Sequence, residues 1–533
     1  MANGNWWDHA VGYEIYIRSF ADGNGDGIGD FVGMVDKLDH LRWLGVDVLW
    51  ITPFYESPMR DWGYDVADYT SIDKVYGSLD DFDAVVEKAH ALDMRVIIDM
   101  VPNHTSDQHR WFQAALADPN SEFRDYYIWI DPPEDGSLPN NWVGYFGGPT
   151  WTLEPQSGQY YMHLFLPEQP DLNWRNPAVR AEFERILRFW LERGVDGFRI
   201  DVAQALIKDN DFRSNPELHP VGPDAERWEQ WNAFDHQHDI LQPEALAIYQ
   251  SWNNIAAEYD ALLLGETYDL VQLDKLDRLL SGGDALHVGF WFGAMHVDWD
   301  AAQIQSTLAL PLDNISAGLG WAQNSHDEHR SVTRFGGGEQ GRARALALAV
   351  LLAGLPGMPF LYQGEELGLA SGEIPDEAKL DPVGGSDPNA GRDGTRTPIP
   401  WSPGPGMGFT DEGVTPWLPF GGRTDADTVS VQRNDPDSIV HGYRRLLEVR
   451  RSIAHIAATS LEWFEGDLSG SDGTGQKVVA FWRGDVAFIA NASSEPVAAP
   501  VRGEVLFSTH DDGREARDML GPDEARIVLV VGR

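Results

Sequence analysis

Short runs of β-branched and other apolar residues alternate along most of the chain with amphipathic stretches, the pattern of repeated βα units and a parallel sheet. Eight such runs read as strands: 13–20, 46–52, 95–101, 197–201, 262–266, 285–290, 319–324 and 359–362. The stretches between them carry a 3.6-residue period. Phe183, Ile186, Leu187, Trp190 and Leu191 fall on one helical face, as do Phe82, Val85, Val86 and Ala89. Eight strands each followed by a helix is the count of a (β/α)8 barrel of the TIM type, an α/β fold.

The pattern breaks in three places. The Trp-, Tyr-, Pro- and Gly-rich stretch 105–170 lies between the third and fourth strands and reads as a domain inserted above the carboxyl face of the barrel. The Gly-, Pro- and Asp-rich stretch 370–427 follows the eighth strand and reads as a long functional loop. Beyond a last amphipathic helix at 441–451, the runs 461–464, 477–482, 486–491, 505–509 and 526–531 predict an antiparallel β module. The expected organisation is therefore a barrel in two parts, 1–104 and 171–455, an inserted domain at 105–170 and a C-terminal β domain at 456–533.

Composition narrows the function. Hydrophobic residues make up 42% and charged residues 23% of the 533 residues, an ordinary globular mixture. The 84 Asp and Glu against 40 Lys and Arg leave a net charge of −44, a surface that repels nucleic acid and anionic lipid and suits a neutral substrate. No apolar run approaches the length of a membrane span, and the first residues carry no cationic flank or apolar core of a signal peptide. The absence of cysteine excludes disulfides and thiolate chemistry and fits a cytoplasmic protein.

Acids fall at the carboxyl ends of candidate strands: Asp99 on the third, Asp201 on the fourth, Glu266 on the fifth and Asp327 just past the seventh. Cleaving a glycosidic bond between neutral sugars needs a proton on the leaving oxygen and a negative charge facing a developing oxocarbenium ion, so two carboxyls facing one sugar suffice. Arg199 and Asp201 are two residues apart on one strand and share a face. A neighbouring guanidinium lowers a carboxylate's pKa and is expected to keep Asp201 ionised as a nucleophile. Glu266 ends the apolar run Leu262-Leu-Leu-Gly265, a setting suited to a general acid. Any one of these acids alone reads as a helix cap; their succession on strand ends does not.

The segments Asp99-Met-Val-Pro-Asn-His104, Gly197-Phe-Arg-Ile-Asp201, Gly265-Glu-Thr267, Asn324-Ser-His-Asp327 and Gln169-Pro-Asp-Leu-Asn173 resemble the five signatures of the α-amylase superfamily, glycoside hydrolase family 13, in its oligo-1,6-glucosidase and α-glucosidase branch. The resemblance spans essentially the whole chain. It implies a retaining α-glucosidase with Asp201 as nucleophile, Glu266 as acid/base and Asp327 as a fixed carboxylate in the subsite for the non-reducing end. It implies that Tyr64 and Asp65, in Asp61-Trp-Gly-Tyr-Asp65, stack on that glucose and bind its outer hydroxyls. His104, Arg199, His326 and Arg396 would complete the subsite, and Phe146 and Phe165 would wall it off, so that short oligosaccharides lose a terminal glucose. Val202, after the nucleophile, resembles the α-1,6-cleaving version, which leaves linkage preference open.

Two other outcomes of the same motifs are a transglucosylase or isomerase, such as a sucrose isomerase or trehalose synthase, and a non-catalytic relative. The stretch 290–300 (FWFGAMHVDWD) has no arginine-rich acceptor loop, against a sucrose isomerase, and the full acid set argues against a non-catalytic chain. The stretch 22–30 (DGNGDGIGD) places oxygen ligands at alternate positions of a glycine-rich turn, as a hard cation requires, or as an ion-free Asx-rich turn would. It resembles the family's calcium loop, which implies Asp22, Asn24, Asp26, Asp30 and the Ile28 carbonyl as ligands. No organic cofactor and no catalytic metal are expected.

Overall fold

The protein is described by a computed structural model over residues 5–222, 225–267, 272–385, 391–466, 468–469, 475–510 and 518–532. Eight parallel strands close a barrel in chain order: β1 (Gly12–Ile15), β2 (Val48–Ile51), β3 (Arg95–Met100), β4 (Gly197–Ile200), β5 (Leu262–Gly265), β6 (Val288–Trp291), β7 (Gly318–Ala322) and β8 (Met358–Tyr362), with β8 paired to β1. A helix follows each: α1 (Phe31–Leu44), α2 (Leu79–Ala91), α3 (Pro177–Glu192), α4 (Ala245–Glu258), α5 (Leu273–Leu280), α6 (Ala301–Asn314), α7 (Gly338–Gly354) and α8 (Ile439–Ser452).

The helices start where local chemistry starts them. Asp30 caps α1 through the Gly33 amide, Ser78 and Asp81 form a capping box on α2, and Asn176 followed by Pro177 opens α3. The faces inferred from the 3.6-residue period are the buried ones: Phe82, Val85, Val86 and Ala89 on α2, and Phe183, Ile186, Leu187, Trp190 and Leu191 on α3. The first strand is shorter than its apolar run. After Ile15 the Tyr16 amide is taken by the Gln363 side chain rather than by a neighbouring strand, and 17–19 coil into a 3-10 turn.

Between β3 and α3 stands a three-stranded antiparallel sheet of Trp129–Ile130, Trp151–Leu153 and Tyr160–Met162, with the last in the centre. Lys208 and Asp171, both fully buried and 2.5 Å apart, tie this region to the loop after β4. The stretch after β8 is irregular, as its composition implies, and residues 386–390 of it lie outside the described ones. It nevertheless packs on the barrel mouth, with the Ile399 amide on the Ser19 carbonyl and the Trp401 indole on that of Phe20. At the C-terminus β9 (Leu461–Trp463), β10 (Val478–Arg483), β11 (Val486–Asn491), β12 (Glu504–Ser508) and β13 (Ala525–Leu529) make an antiparallel sheet in the order β9-β10-β11-β13-β12. It rests on α7, where Gly354 lies flat under the Phe488 ring. Among the described residues no helix is long and apolar enough to cross a membrane.

Candidate active site

Strand register brings the acids together. Ile200 of β4 pairs with Gly265 of β5, so the next residue on each, Asp201 and Glu266, emerge side by side at the carboxyl end of the barrel. Asp99 of β3 pairs with Arg199 of β4. Arg199, 1% exposed, divides its guanidinium among all three carboxylates: 2.6 Å to Asp99, 2.7 Å to Asp201 and 2.9 Å to Glu266. Asp201 is held through Oδ1 and Glu266 through Oε2, which also accepts the Val202 amide at 2.8 Å. Val202 itself stands at φ 45° and ψ 48°, a left-handed conformation that costs a β-branched residue on the order of 1–3 kcal/mol.

One positive charge against three acids overturns part of the electrostatic expectation. Burial, and then the charge of Glu266, push Asp201 well above the usual carboxylate range, and Arg199 only opposes them. Burial likewise raises Asp99 to about 6 against the pull of Arg199 and the Trp50 indole. Asp327 behaves in the opposite way. Burial disfavours its charge, but His326, Arg392 and Arg396 outweigh that and hold it well below the usual range. Its side chain, deep in the protein, is still 38% accessible, onto the cavity that it lines.

That cavity is lined by Asp201, Glu266 and Asp327, with Tyr64, His104, Phe146 and Phe165 around them, as the sequence implies. Arg199, His326 and Arg396 stand one layer back. The Arg396 guanidinium reaches Asp327 at 2.7 Å and the His326 carbonyl at 2.9 Å. The His326 ring is sandwiched between Tyr64 and Tyr16, at 5.4 and 5.6 Å, with buried Glu14 on its Nδ1. His104, fully enclosed, is shifted by burial towards the neutral ring and bonds to the Tyr64 carbonyl.

Asp65 is a correction. It does not line the cavity; its oxygens accept the Ser57 hydroxyl and the Arg60 and Asp61 amides, and burial pushes it up to about 6. It shapes the turn that presents Asp61, and Asp61 is the acid that faces the cavity. Arg392 is the residue that sequence reasoning missed. It bonds Asp327 at 3.0 Å, Asp61 at 2.9 Å and buried Asp381 at 2.8 Å, and lies over the Phe146 ring. Its one sequence signal was its place in the irregular loop four residues before Arg396. Tyr145, Gln204, Arg227, Trp228 and Glu328, also unassigned from sequence, line the same cavity.

On the glycine-rich stretch after β1, Asp22, Asn24 and Asp26 each accept the amide two residues on, and Asp30 accepts those of Gly23, Asn24 and Gly33. The donors are all oxygen and fit a hard cation in kind, while each side chain already closes a turn of the loop. Among the described residues no group of three or more carboxylates and histidines gathers closely enough to hold a metal ion.

A closed parallel barrel presenting paired carboxyls, a third ionised acid and aromatic walls at the ends of its strands defines a glycoside hydrolase. A sequence profile of the α-amylase catalytic domain matches residues 14–458, and the chain belongs to that family. It is 40% identical to a probable α-glucosidase of Rhizobium meliloti, over 87% of this chain and 86% of the relative. It is 37% identical to the oligo-1,6-glucosidase of Heyndrickxia coagulans, over 84% and 85%. A crystal structure of an α-glucosyl transfer enzyme superposes with a TM-score of 0.88 at 37% identity, over 99% of this chain and 100% of that one.

Proposed function

We propose that the protein is a retaining, exo-acting α-glucosidase that releases terminal α-linked glucose from short oligosaccharides of the maltose or isomaltose type. The observation that carries this reading is the sharing of one guanidinium by Asp201 and Glu266, which sets the two carboxyls side by side at the floor of a cavity. Retaining glycosidases need such a pair, about 5–5.5 Å apart. Asp201 attacks the anomeric carbon through its free oxygen while Glu266 protonates the departing glycosidic oxygen. Water then enters, gives its proton to Glu266 and displaces Asp201. Asp327 and Asp61, bridged by Arg392, accept the outer hydroxyls of the bound glucose, and the ionised state of Asp327 suits that role.

A cavity backed by Asp61, Arg392 and Phe146 favours a single terminal unit over mid-chain attack. Val202 beside the acid/base gives the lean towards α-1,6 linkages. The similarity to an α-glucosyl transfer enzyme supports a second reading, in which a sugar hydroxyl replaces water in the second step.

One experiment separates these. Proton NMR during turnover of maltose, isomaltose and sucrose should show an early excess of α-glucose over the anomer mixture that the reducing-end units already carry. Dominant new disaccharides would favour transfer, and β-glucose as the first glucose from sucrose, or in excess of the reducing-end mixture from maltose or isomaltose, would reject retention. The all-oxygen donor set of the 22–30 loop supports structural calcium on Asp22, Asn24, Asp26, Asp30 and the Ile28 carbonyl. In that case EGTA lowers Tm and calcium restores it; an unchanged Tm withdraws the ion. The lack of cysteine supports action in the cytoplasm.

A further inference from the structure

The acid/base carboxyl has two unlike oxygens. Oε2 of Glu266 is held at 2.8 Å by the Val202 amide and at 2.9 Å by Arg199, whereas among the described residues nothing bonds Oε1. The Glu266 backbone is fixed on both sides as well, its amide on the Ile200 carbonyl and its carbonyl on the Ala203 amide. The left-handed turn at Val202, φ 45° and ψ 48°, directs the next amide, that of Ala203, back onto this carbonyl. A valine rarely adopts that conformation, and its side chain is 6% exposed against the cavity. A strained residue directly after the nucleophile thus spends its amide on the other catalytic carboxyl.

We propose that Val202 is a positioning residue for acid catalysis: its backbone N–H pins Oε2 of Glu266, so that the catalytic proton is carried on Oε1. In the first step the Oε1 proton passes to the glycosidic oxygen as the bond from that oxygen to C1 breaks and an Asp201 oxygen bonds to C1; the aglycone leaves as a neutral alcohol. In the second step Oε1 takes a proton from water, whose oxygen bonds to C1 as the Asp201 ester breaks. The amide stabilises the carboxylate left after each donation, and so matters where the leaving group needs a proton. This inference rests on the α-glucosidase reading.

The test replaces the Asp201–Val202 amide by an ester, introducing the α-hydroxy analogue of valine at position 202 by nonsense suppression. This deletes the N–H and keeps the side chain. With maltose or isomaltose, whichever the wild type cleaves faster, kcat should fall about 10–100-fold. With α-glucosyl fluoride, whose leaving group needs no proton, it should fall less than about 3-fold. Val202→Gly, which keeps the N–H and tolerates the turn, should preserve the wild-type ratio of the two rates. Equal losses on both substrates, or none, overturn the inference and leave the α-glucosidase reading intact. A wild type inactive on all three substrates overturns that reading and the inference with it. A crystal of the wild type with a sulfur-linked maltose analogue decides the matter even if the ester variant does not fold. The bridging sulfur should lie against Oε1, and sulfur against Oε2 overturns the assignment.

Discussion

Arg199 faces three carboxylates with one charge, and burial outweighs its pull at Asp201 and Asp99. Asp201→Asn removes one of the repelling groups and the proposed nucleophile together. Turnover should fall by at least about 10³-fold, since several kcal/mol of barrier are lost, while Tm stays level or rises. Near-wild-type turnover would remove Asp201 from the role.

Glu365, buried behind the site, allows a pH prediction. Burial lifts it from 4.5 to about 7 despite hydrogen bonds from Asn324, Gln323 and Tyr443. The folded form then keeps a proton that the unfolded chain loses near its ordinary value. Its contribution to stability is complete below about pH 4.5 and is lost as pH rises to about 7. Between pH 5 and pH 8 the wild type should lose as much as about 3 kcal/mol relative to Glu365→Gln in urea unfolding. Parallel pH profiles for the two proteins would show that Glu365 is not proton-bearing.

At the scale of elements, the site depends on how closely β4 and β5 approach. A Cβ on Gly197 would stand 2.4 Å from the Leu262 carbonyl oxygen, backbone that cannot rotate aside. Gly197→Ala must therefore part the two strands whose next turn carries Asp201 and Glu266. Overpacking of this kind costs about 1–3 kcal/mol, and kcat should fall along with Tm. A variant with normal Tm and kcat would show that the strand spacing is not what aligns the pair. The helix faces were legible in sequence because burial repeats every 3.6 residues, whereas the strand ends were less so. Nothing local marks Ile15 as the last residue of β1, because the Gln363 side chain that captures the next amide lies 347 positions further along the chain. The same limit hid Arg392, which lies in an irregular loop with no period to read and reaches Asp61 across 331 positions.

For the molecule as a whole, 84 acids against 40 bases make self-repulsion a standing cost of the compact state. Raising sodium chloride from about 0.05 M to about 1 M shortens the Debye length to about 3 Å and should raise Tm. A Tm that falls or stays flat would show that the acidic surface is already balanced by its own ion pairs.

The order of strands and helices, and with it the barrel, follows from hydrophobic period and turn chemistry, which act within a few residues of each other and are written locally. The placement of Asp201, Glu266 and Asp327 around one cavity was likewise legible, because each sits beside a strand end in a recognisable segment. Which acid faces the sugar and which shapes a turn, as with Asp61 and Asp65, was decided only by tertiary packing. So were the shift of Asp201 upward rather than downward and the strained turn at Val202. Those properties depend on distances between segments and on the exclusion of water among them, quantities that exist only once the chain has closed on itself.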